Sequence, residues 1–152
     1  MRLVSNTHSS FRGLRDEEYE FSNTNLVVGN NGDGKTSLLE AIYVSMLGTP
    51  LNSFTKAGRE LSRNNQGVFS TESKAIDHRG NTTIYKFSSS NNKSKLLCDD
   101  TKTTIRAAYL STPVCLIDSN IEKIASESPD YRRKLIDRSA FHVEPEHAES
   151  YR

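Results

Sequence analysis

The stretch "NLVVGNNGDGKTSLLEAIY", residues 25–43, carries the most informative pattern in the sequence. Between Gly29 and Thr36 it fits G-x-x-x-x-G-K-[ST], a pattern that binds the phosphates of nucleotides. The apolar run 25–28 before the glycines predicts a short buried strand. Apolar residues after the loop recur at helical spacing until Gly48, which predicts a helix that ends there. This order of strand, glycine-rich turn and helix predicts an α/β protein of the P-loop NTPase class.

The residue types of this loop suit a nucleoside triphosphate. Glycines allow successive backbone N–H groups to turn inward around a phosphate, and the start of the helix adds free N–H groups and the positive end of its dipole. Lys35 supplies a positive charge for the β- and γ-phosphates, and the Thr36 hydroxyl is a hard oxygen ligand for Mg²⁺. We therefore predict that ATP and Mg²⁺ bind here, with Thr36 as the metal ligand. The predicted nucleotide-binding residues of the loop are Gly29, Asn30, Asn31, Gly32, Asp33, Gly34, Lys35, Thr36 and Ser37.

Composition sets outer bounds on the function. The chain has 152 residues, the size of one domain, and a net charge of +1, so contact with nucleic acid requires a local basic patch or a surface built by a dimer. The two cysteines, Cys98 and Cys115, are too far apart for a C-x-x-C element and suggest no disulfide framework. We find no secretory signal and no run of about 18 apolar residues, so we expect a cytoplasmic protein with no membrane partner.

Strand-like patterns lie on both sides of the loop and helix. Residues 2–5 predict a first strand, and the alternating residues 18–22 predict its hairpin partner. From 67 to 106 the pattern is typical of β-structure, with "HRG" at 78–80 as a hairpin turn. Two further loops are expected at 88–94 and 98–102, and "VCLID" at 114–118 is a short apolar run that predicts a strand.

The flanks of the glycine loop narrow the class of P-loop protein. "FRGL" at 11–14 precedes the loop, which continues as "GNNGDGKTSLLEAIY", and "DYRRKLIDRSAFHVEP" at 130–145 follows the β-rich stretch. This combination resembles the ABC-type ATPase heads of the RecF and structural-maintenance-of-chromosomes group, and the RecF family in particular. The resemblance covers the whole chain but only the N-terminal part of such a protein.

The RecF resemblance implies a fold and a domain plan. The fold is lobe I of an ABC-type head with an antiparallel β layer and the start of a helical lobe II. Lobe I corresponds to 1–106, with the P-loop core at 1–66 and the β layer at 67–106. The start of lobe II corresponds to 107–152, and the polar ending at Arg152 is interpreted as a truncation.

The same resemblance implies a function. It is that of a DNA replication, recombination and repair ATPase, which binds DNA near single-strand gaps and supports RecA loading and the SOS response. The implied partners are DNA, RecO and RecR, and a second copy of the full-length protein in an ATP-dependent homodimer. Arg12 corresponds to the basic residue that approaches the nucleotide or the dimer partner in related heads.

Some features depart from the family pattern. Asp33 is an acid where the family has a small or neutral residue, so its carboxylate is expected to weaken triphosphate binding unless it faces water. "CLIDSN" at 115–120 lacks a Pro-Glu pair, and the Q-loop glutamine cannot be placed. Asp118 imitates the acid of a Walker B strand, but Ser119 follows it and no S-G-G signature precedes it, so we interpret 114–118 as structural. We therefore expect the segment alone to bind ATP without hydrolysing it.

Two other constellations have simpler interpretations. His142 and His147 are five residues apart with Pro145 between them, which does not place them on one helix face as in H-E-x-x-H, so we expect no metal site there. A basic run on a predicted helix is interpreted as a solvated face that could also meet DNA phosphates. This run consists of Arg132, Arg133, Lys134 and Arg138.

Two other functional classes remain open from the residues alone. A small P-loop kinase would need an arginine-rich lid and a second substrate pocket. A nucleotide-binding interaction module would keep the fold and lack turnover.

Overall fold

The computed structural model of the protein describes residues 1–51, 58–91 and 93–117, together with Pro129. The chain divides into two units, Met1–Ala108 and Tyr109–Arg152, and the elements that position the site belong to the first. No helix in the described ranges is both long enough and apolar enough to cross a membrane.

The first unit contains a six-stranded sheet in the order β2-β1-β3-β4-β5-β6, and every neighbouring pair is antiparallel. The strands are β1 (Arg2–Ser9), β2 (Glu18–Glu20), β3 (Phe69–Ile76), β4 (Thr82–Ser90), β5 (Lys93–Cys98) and β6 (Thr101–Lys102). The helices are α1 (Lys35–Leu47) and α2 (Ile105–Ser111), and a 3₁₀ turn covers Arg63–Asn65. The predicted hairpin partner of β1 is confirmed, since β2 pairs with it, and the antiparallel sheet is larger than expected because β1 and β2 belong to it.

Side chains alternate between the two faces of the sheet, as a pleated strand requires. We call the face that packs against α1 the inner face and the opposite face the outer face. Aromatic rings join the inner face to the turn at 11–14. The ring of Phe11 meets that of Phe69 edge-on with centroids 5.3 Å apart, and Phe69 stacks on Phe87 with centroids 5.8 Å apart. The buried apolar cluster consists of Phe11, Leu14, Leu38, Ala41, Val44, Leu61, Phe69, Phe87, Leu96 and Ala108.

Hydrogen bonds as well as apolar contacts hold α1 against the inner face. The Thr71 hydroxyl donates to the backbone oxygen of Ala41 at 3.1 Å, and the hydroxyls of Ser45 and Ser73 are 2.6 Å apart. The Asn6 amide nitrogen lies within hydrogen-bond distance of Thr71 Oγ1, Ser73 Oγ and a backbone oxygen. These buried polar groups satisfy one another, which keeps their desolvation from destabilising the interface.

The helix α1 ends at Gly48, as predicted. Gly48 adopts φ 72°, and its N–H donates to the Val44 oxygen at 2.8 Å, which closes the helix in a left-handed cap. The backbone angle favours glycine here, and a Cβ at this position would lie 2.9 Å from Leu96 Cδ2, so Leu96 would have to shift.

The hairpin at 78–80 is confirmed, whereas the loop predicted at 88–94 is much shorter. In the first, Asp77 N donates to Asn81 O, and Gly80 has φ 86°. In the second, strand pairing continues to Ser90 opposite Lys93, because β5 pairs with the serines of β4. At 98–102 the turn reduces to Asp99 and Asp100, both with positive φ, as in tight two-residue hairpins.

Two predicted strands are wrong. Residues 25–28 form no strand, and Leu26 and Val28 are 86% and 77% exposed, because no described strand pairs with them. Residues 114–117 are also irregular, with Ile117 exposed. Asp118 lies outside the described residues, as do the segment 130–145 and most of the expected helical lobe. The boundary predicted after residue 106 falls inside α2 and stays a prediction.

His8 is a buried titratable group beside this polar network. Its Nδ1 donates to Asn6 Oδ1 at 3.2 Å, its ring stacks on Tyr19 at 5.5 Å, and its Nε2 has no hydrogen-bond partner among the described groups. Burial lowers the pKa of His8 below its ordinary value of 6.5, since the protein interior disfavours the charged imidazolium.

We expect stability to fall as the pH drops below about 6.5, because the unfolded chain then binds a proton that folded His8 resists. Urea unfolding at about pH 7.5 and about pH 5.5 measures this difference, and the His8→Gln variant should show a smaller one. The exposed His78→Gln variant serves as the control and should behave like the parent chain. Equal pH dependence in His8→Gln and the parent chain would contradict the assignment. The pKa values of Asp16 and Asp77 are also lowered, and these two groups change the stability only at more acidic pH.

Candidate functional site

The glycine-rich turn forms a tight loop directly before α1. Asp33 N donates to Asn30 O at 3.2 Å, which closes the turn. Gly32 and Gly34 have φ of 95° and 93°, left-handed values that L-residues with a side chain rarely adopt. A Cβ on Gly34 would also lie 2.7 Å from Leu14 Cδ2. The two glycines are therefore required by the loop's own geometry.

The N-terminus of α1 presents its free amides at this loop. The helix begins after Gly34, whose oxygen accepts the first helical hydrogen bond from Leu38 N at 2.8 Å. The amides of 35–37 precede that bond and have no partner within the helix. No side chain in the described ranges caps this end, and its first turn holds no acidic residue. An anion placed here would meet unpaired N–H groups and the positive end of the helix dipole.

Lys35 and Thr36, the residues predicted to bind phosphate and metal, lie side by side at the start of α1. The Lys35 ammonium reaches back across the loop and donates to Gly29 O at 2.9 Å and Asn30 O at 2.7 Å. Thr36 is exposed at the start of the helix, where its hydroxyl can face solvent. These groups fit a triphosphate with its magnesium ion: the positive charge lies at the mouth of the loop, and the hydroxyl follows it.

The Asp33 side chain contacts the backbone of the loop and does not point only into water. Its carboxylate oxygen Oδ2 accepts a hydrogen bond from Asn30 N at 2.6 Å, so the side chain folds back over the loop. A Cβ on Gly29 would lie 2.9 Å from the same oxygen, which accounts for glycine at that position. The carboxylate thus braces the loop while it adds a negative charge beside the place predicted for phosphate.

The turn at 11–14 lies against the phosphate loop through two contacts. Leu14 packs on Gly34, and Arg12, with φ 43°, directs its guanidinium toward α1. There Arg12 Nε donates to Glu40 Oε2 at 2.5 Å. The second carboxylate oxygen of Glu40 accepts from Leu51 N at 3.3 Å. The structure therefore joins Arg12 to the helix that carries the loop, and its approach to the nucleotide or to a dimer partner stays a prediction.

Sequence reasoning missed Glu40, although a signal was present. Its side chain is 5% exposed, whereas that of Arg12 is 33% exposed. An acid embedded in the apolar run "LLEAIY" is costly to bury without a cation and a donor, so its position alone indicates a partner. A second clamp, also unpredicted, joins Arg63 to Leu14 O and to Asp16 Oδ1 at 2.7 Å, which fixes the end of the 11–14 turn.

The other sequence candidates are not brought to this site. Asp118, His142, His147 and the basic run at 132–138 lie outside the described residues. In the described part of the chain, no group of three or more His, Cys, Asp or Glu side chains could hold a metal ion. Cys98 is partly buried, and burial raises its pKa, so it is not an activated thiol.

A family model described as "AAA domain" matches residues 8–144, which is most of the chain. The chain belongs to the AAA domain family. Its match spans the 11–14 turn, the phosphate loop with α1 and the sheet strands from β2 to β6.

Curated relatives are called "DNA replication and repair protein RecF". The chain is 28% identical to the protein of Shewanella oneidensis over 148 residues and 33% identical to that of Histophilus somni over 144 residues. These alignments cover 96% and 93% of this chain but 41% and 38% of the relatives. The chain therefore spans about two fifths of the length of the curated relatives it matches. The RecF resemblance seen in the motifs is confirmed.

Solved structures of RecF share the fold. The recombination mediator protein RecF with ATPrS, from the RecFOR pathway, superposes with a TM-score of 0.82 at 22% identity. The same protein with ATP gives 0.77 at 24% identity, and each comparison covers 95% of this chain and 39% of the other. The predicted P-loop NTPase fold of an ABC-type head with an antiparallel sheet is confirmed.

We expect Asp33→Asn to tighten ATP more than ADP. Asn keeps an acceptor for the Asn30 amide and removes the charge, whose repulsion of a nearby phosphate charge is worth about fivefold in affinity in a water-like environment. Asp33→Ala removes the brace as well, so it should tighten ATP less than Asp33→Asn does. Calorimetric titration with both nucleotides measures the ratio. An ATP/ADP ratio unchanged in Asp33→Asn would show that the carboxylate does not act on the phosphates.

We also expect Arg12 and Glu40 to stabilise the fold jointly. In a double-mutant cycle built from Arg12→Ala and Glu40→Ala, the coupling should be about 1–2 kcal/mol, less than for a fully buried pair because Arg12 is partly solvated. Urea unfolding of the four chains gives this value. The exposed pair Lys86 and Glu72, 3.0 Å apart, is the matched control and should couple more weakly. Additive effects at Arg12 and Glu40 would contradict the expectation.

Proposed function

We propose that this chain is the ATP-binding part of a RecF-like DNA replication and repair protein. One observation carries the proposal: an uncapped helix N-terminus follows a loop whose glycines are left-handed, and Lys35 lies across that loop. Membership of the AAA domain family and the RecF relatives support the same conclusion. The proposed cofactors are ATP and Mg²⁺.

Each group in the loop has a distinct part in holding the nucleotide. The amides of Gly32 and of residues 34–37 would donate to the phosphate oxygens, and their fixed orientation would avoid the cost of ordering a flexible loop around the anion. Lys35, which bonds the carbonyls of Gly29 and Asn30, would hold the phosphates through its ammonium, and Thr36 would offer its hydroxyl to magnesium. Bound ATP supplies a phosphoanhydride bond that can be hydrolysed. Arg12, held by Glu40, is proposed to approach the nucleotide or a second subunit.

We propose that these 152 residues do not hydrolyse ATP alone. Hydrolysis requires an acid for Mg²⁺ and a second group that positions the attacking water. The only sequence that imitates such a strand, 114–118, has no strand geometry over 114–117, and Ser119 follows its acid. In a longer protein we propose a weak, DNA-dependent ATPase that dimerises when ATP is bound, with lobe I at 1–106 and a helical lobe starting at 107.

The biological role is proposed from the relatives. Their names, replication and repair protein and recombination mediator in the RecFOR pathway, support DNA, RecO and RecR as partners. The corresponding role is to bind DNA near single-strand gaps in the cytoplasm and to support RecA loading and the SOS response.

We expect Lys35→Ala to weaken ATP binding by tenfold or more while the urea midpoint stays unchanged. Within the described residues the lysine donates its hydrogen bonds to loop carbonyls, so its loss should remove a phosphate contact without opening the core. Calorimetry with ATP and Mg²⁺ measures the affinity, and Lys74→Ala, on the outer face of the sheet, is the control.

Two results would contradict the proposal. Equal ATP affinity in Lys35→Ala and the parent chain would exclude this loop as the nucleotide site. Release of phosphate by the 152-residue chain, abolished in Asp118→Asn while ATP still binds, would make Asp118 a catalytic acid and favour a compact kinase-like enzyme.

A further inference from the structure

The phosphate loop carries no net charge. Between Gly29 and Ser37 the chain holds one acid, Asp33, and one cation, Lys35. In the described ranges neither side chain forms an ion pair, with the other or with a third residue. A loop of the same pattern with a neutral residue at position 33 would carry one positive charge. The loop of this chain therefore lacks the long-range attraction for anions that such a charge provides.

The negative charge of Asp33 is held at the loop. Its Oδ2 accepts from Asn30 N at 2.6 Å, a short hydrogen bond of the kind that a charged acceptor forms. Asp33 N donates in turn to Asn30 O at 3.2 Å. Asp33 is thus tied to Asn30 through both its side chain and its backbone, so the carboxylate can turn away from the loop only by breaking a charge-assisted hydrogen bond.

The positive charge of Lys35 is bound to the same residue. Its ammonium donates to Asn30 O at 2.7 Å, while the Asp33 carboxylate accepts from Asn30 N. Because the nitrogen and oxygen of one residue lie close together, the two charges are at most about 9 Å apart. A phosphate group that reaches Lys35 therefore also comes within the field of Asp33.

The neighbouring turn adds little charge to compensate for Asp33. Arg12 pairs with Glu40 at 2.5 Å, and Arg63 pairs with Asp16 at 2.7 Å. Arg15, beyond this turn, is exposed to solvent, which screens its field. Recognition of an anion at this loop therefore depends on the backbone amides and on Lys35, with the Asp33 charge acting against it.

The charge of the nucleotide consequently decides how well it fits the loop. Free ATP carries roughly four negative charges near neutral pH, and a bound Mg²⁺ ion compensates two of them. The repulsion from Asp33 increases with the charge of the nucleotide, whereas the loop amides are available to both forms. Free ATP thus meets about twice the repulsion that its magnesium complex meets.

We propose that Asp33 makes this loop select nucleotide complexed with a divalent cation over free nucleotide. The inference rests on the proposed function, to which it adds the form of the nucleotide that is bound and the residue that selects it. Thr36 would contact the cation directly, whereas Asp33 disfavours the phosphate charge that remains when the cation is absent. A neutral residue at position 33 would let the loop bind the two forms more equally.

The test measures ATP affinity by calorimetry, in excess Mg²⁺ and in EDTA at equal ionic strength, for the 152-residue chain and for Asp33→Asn. Asn keeps an acceptor for the Asn30 amide and removes the charge. Two charges about 8 Å from a carboxylate lower the affinity about fivefold in a water-like medium. The ratio of the affinity in Mg²⁺ to that in EDTA should therefore fall about fivefold in Asp33→Asn, because free ATP binds more tightly.

Two further variants identify the cause of any change in this ratio. Asp100→Asn makes the same substitution on the exposed turn between β5 and β6 and should keep the parent ratio. Asp33→Ala removes both the charge and the hydrogen bond to Asn30, so it should lower the ratio as much as Asp33→Asn does. A ratio that changes in Asp33→Ala but not in Asp33→Asn would assign the preference to the hydrogen bond and overturn the inference.

The remaining outcomes separate this inference from the function on which it rests. If the parent chain binds ATP equally well in Mg²⁺ and in EDTA, or if Asp33→Asn keeps the parent ratio, the selection by Asp33 is wrong and the nucleotide-binding proposal stands. If the parent chain binds ATP under neither condition, the nucleotide-binding proposal is wrong and the inference with it. An unchanged urea midpoint in Asp33→Asn confirms that its fold is intact.

Discussion

The hydrogen bond from Thr71 to the backbone of Ala41, with the Ser45–Ser73 contact beside it, positions the phosphate loop on the sheet. A helix that packs only through leucines can slide or rotate on its support at little cost, whereas a buried hydroxyl that loses its acceptor carries a large desolvation penalty. These hydrogen bonds fix the position of α1 along the sheet. They therefore also fix the position of the phosphate loop, which directly precedes the helix. Only 34% of the chain is hydrophobic, which is consistent with an interface specified largely by polar groups.

The phosphate loop is also held by the 11–14 turn. Phe11 anchors this turn in the aromatic cluster, Leu14 covers Gly34, and Arg12 reaches Glu40 on the next turn of the helix. The same glycine thus permits the left-handed backbone of the loop and the close approach of its neighbour. Separation of Arg12 from Glu40 would leave an unpaired buried carboxylate, so the ion pair favours a fixed position of the 11–14 turn against α1.

The sequence predicts the phosphate loop, α1 and the β-rich stretch because their signals are local. These signals are the glycines of the loop, apolar residues with a 3.6-residue period, and the alternation of apolar and polar residues in strands. The failures depend on contacts distant in sequence. Residues 25–28 have the composition of a strand, but a strand exists only where another strand pairs with it. Serines 88–90 have the composition of a loop, yet β5 pairs with them. Glu40 could not be paired with Arg12 by any spacing rule, since the two are joined only by the way the 11–14 turn folds back.

The exposed run at 25–28 has a consequence for handling the protein. Leu26 and Val28 present exposed apolar side chains in a run that no described strand pairs with, which resembles an uncovered sheet edge. Such an edge recruits the same segment of another molecule, since pairing satisfies both backbones and removes the apolar side chains from water. Concentrated solutions of this chain will therefore tend to self-associate through this run, and a lysine at position 26 or 28 would suppress that association by placing a charge at the contact.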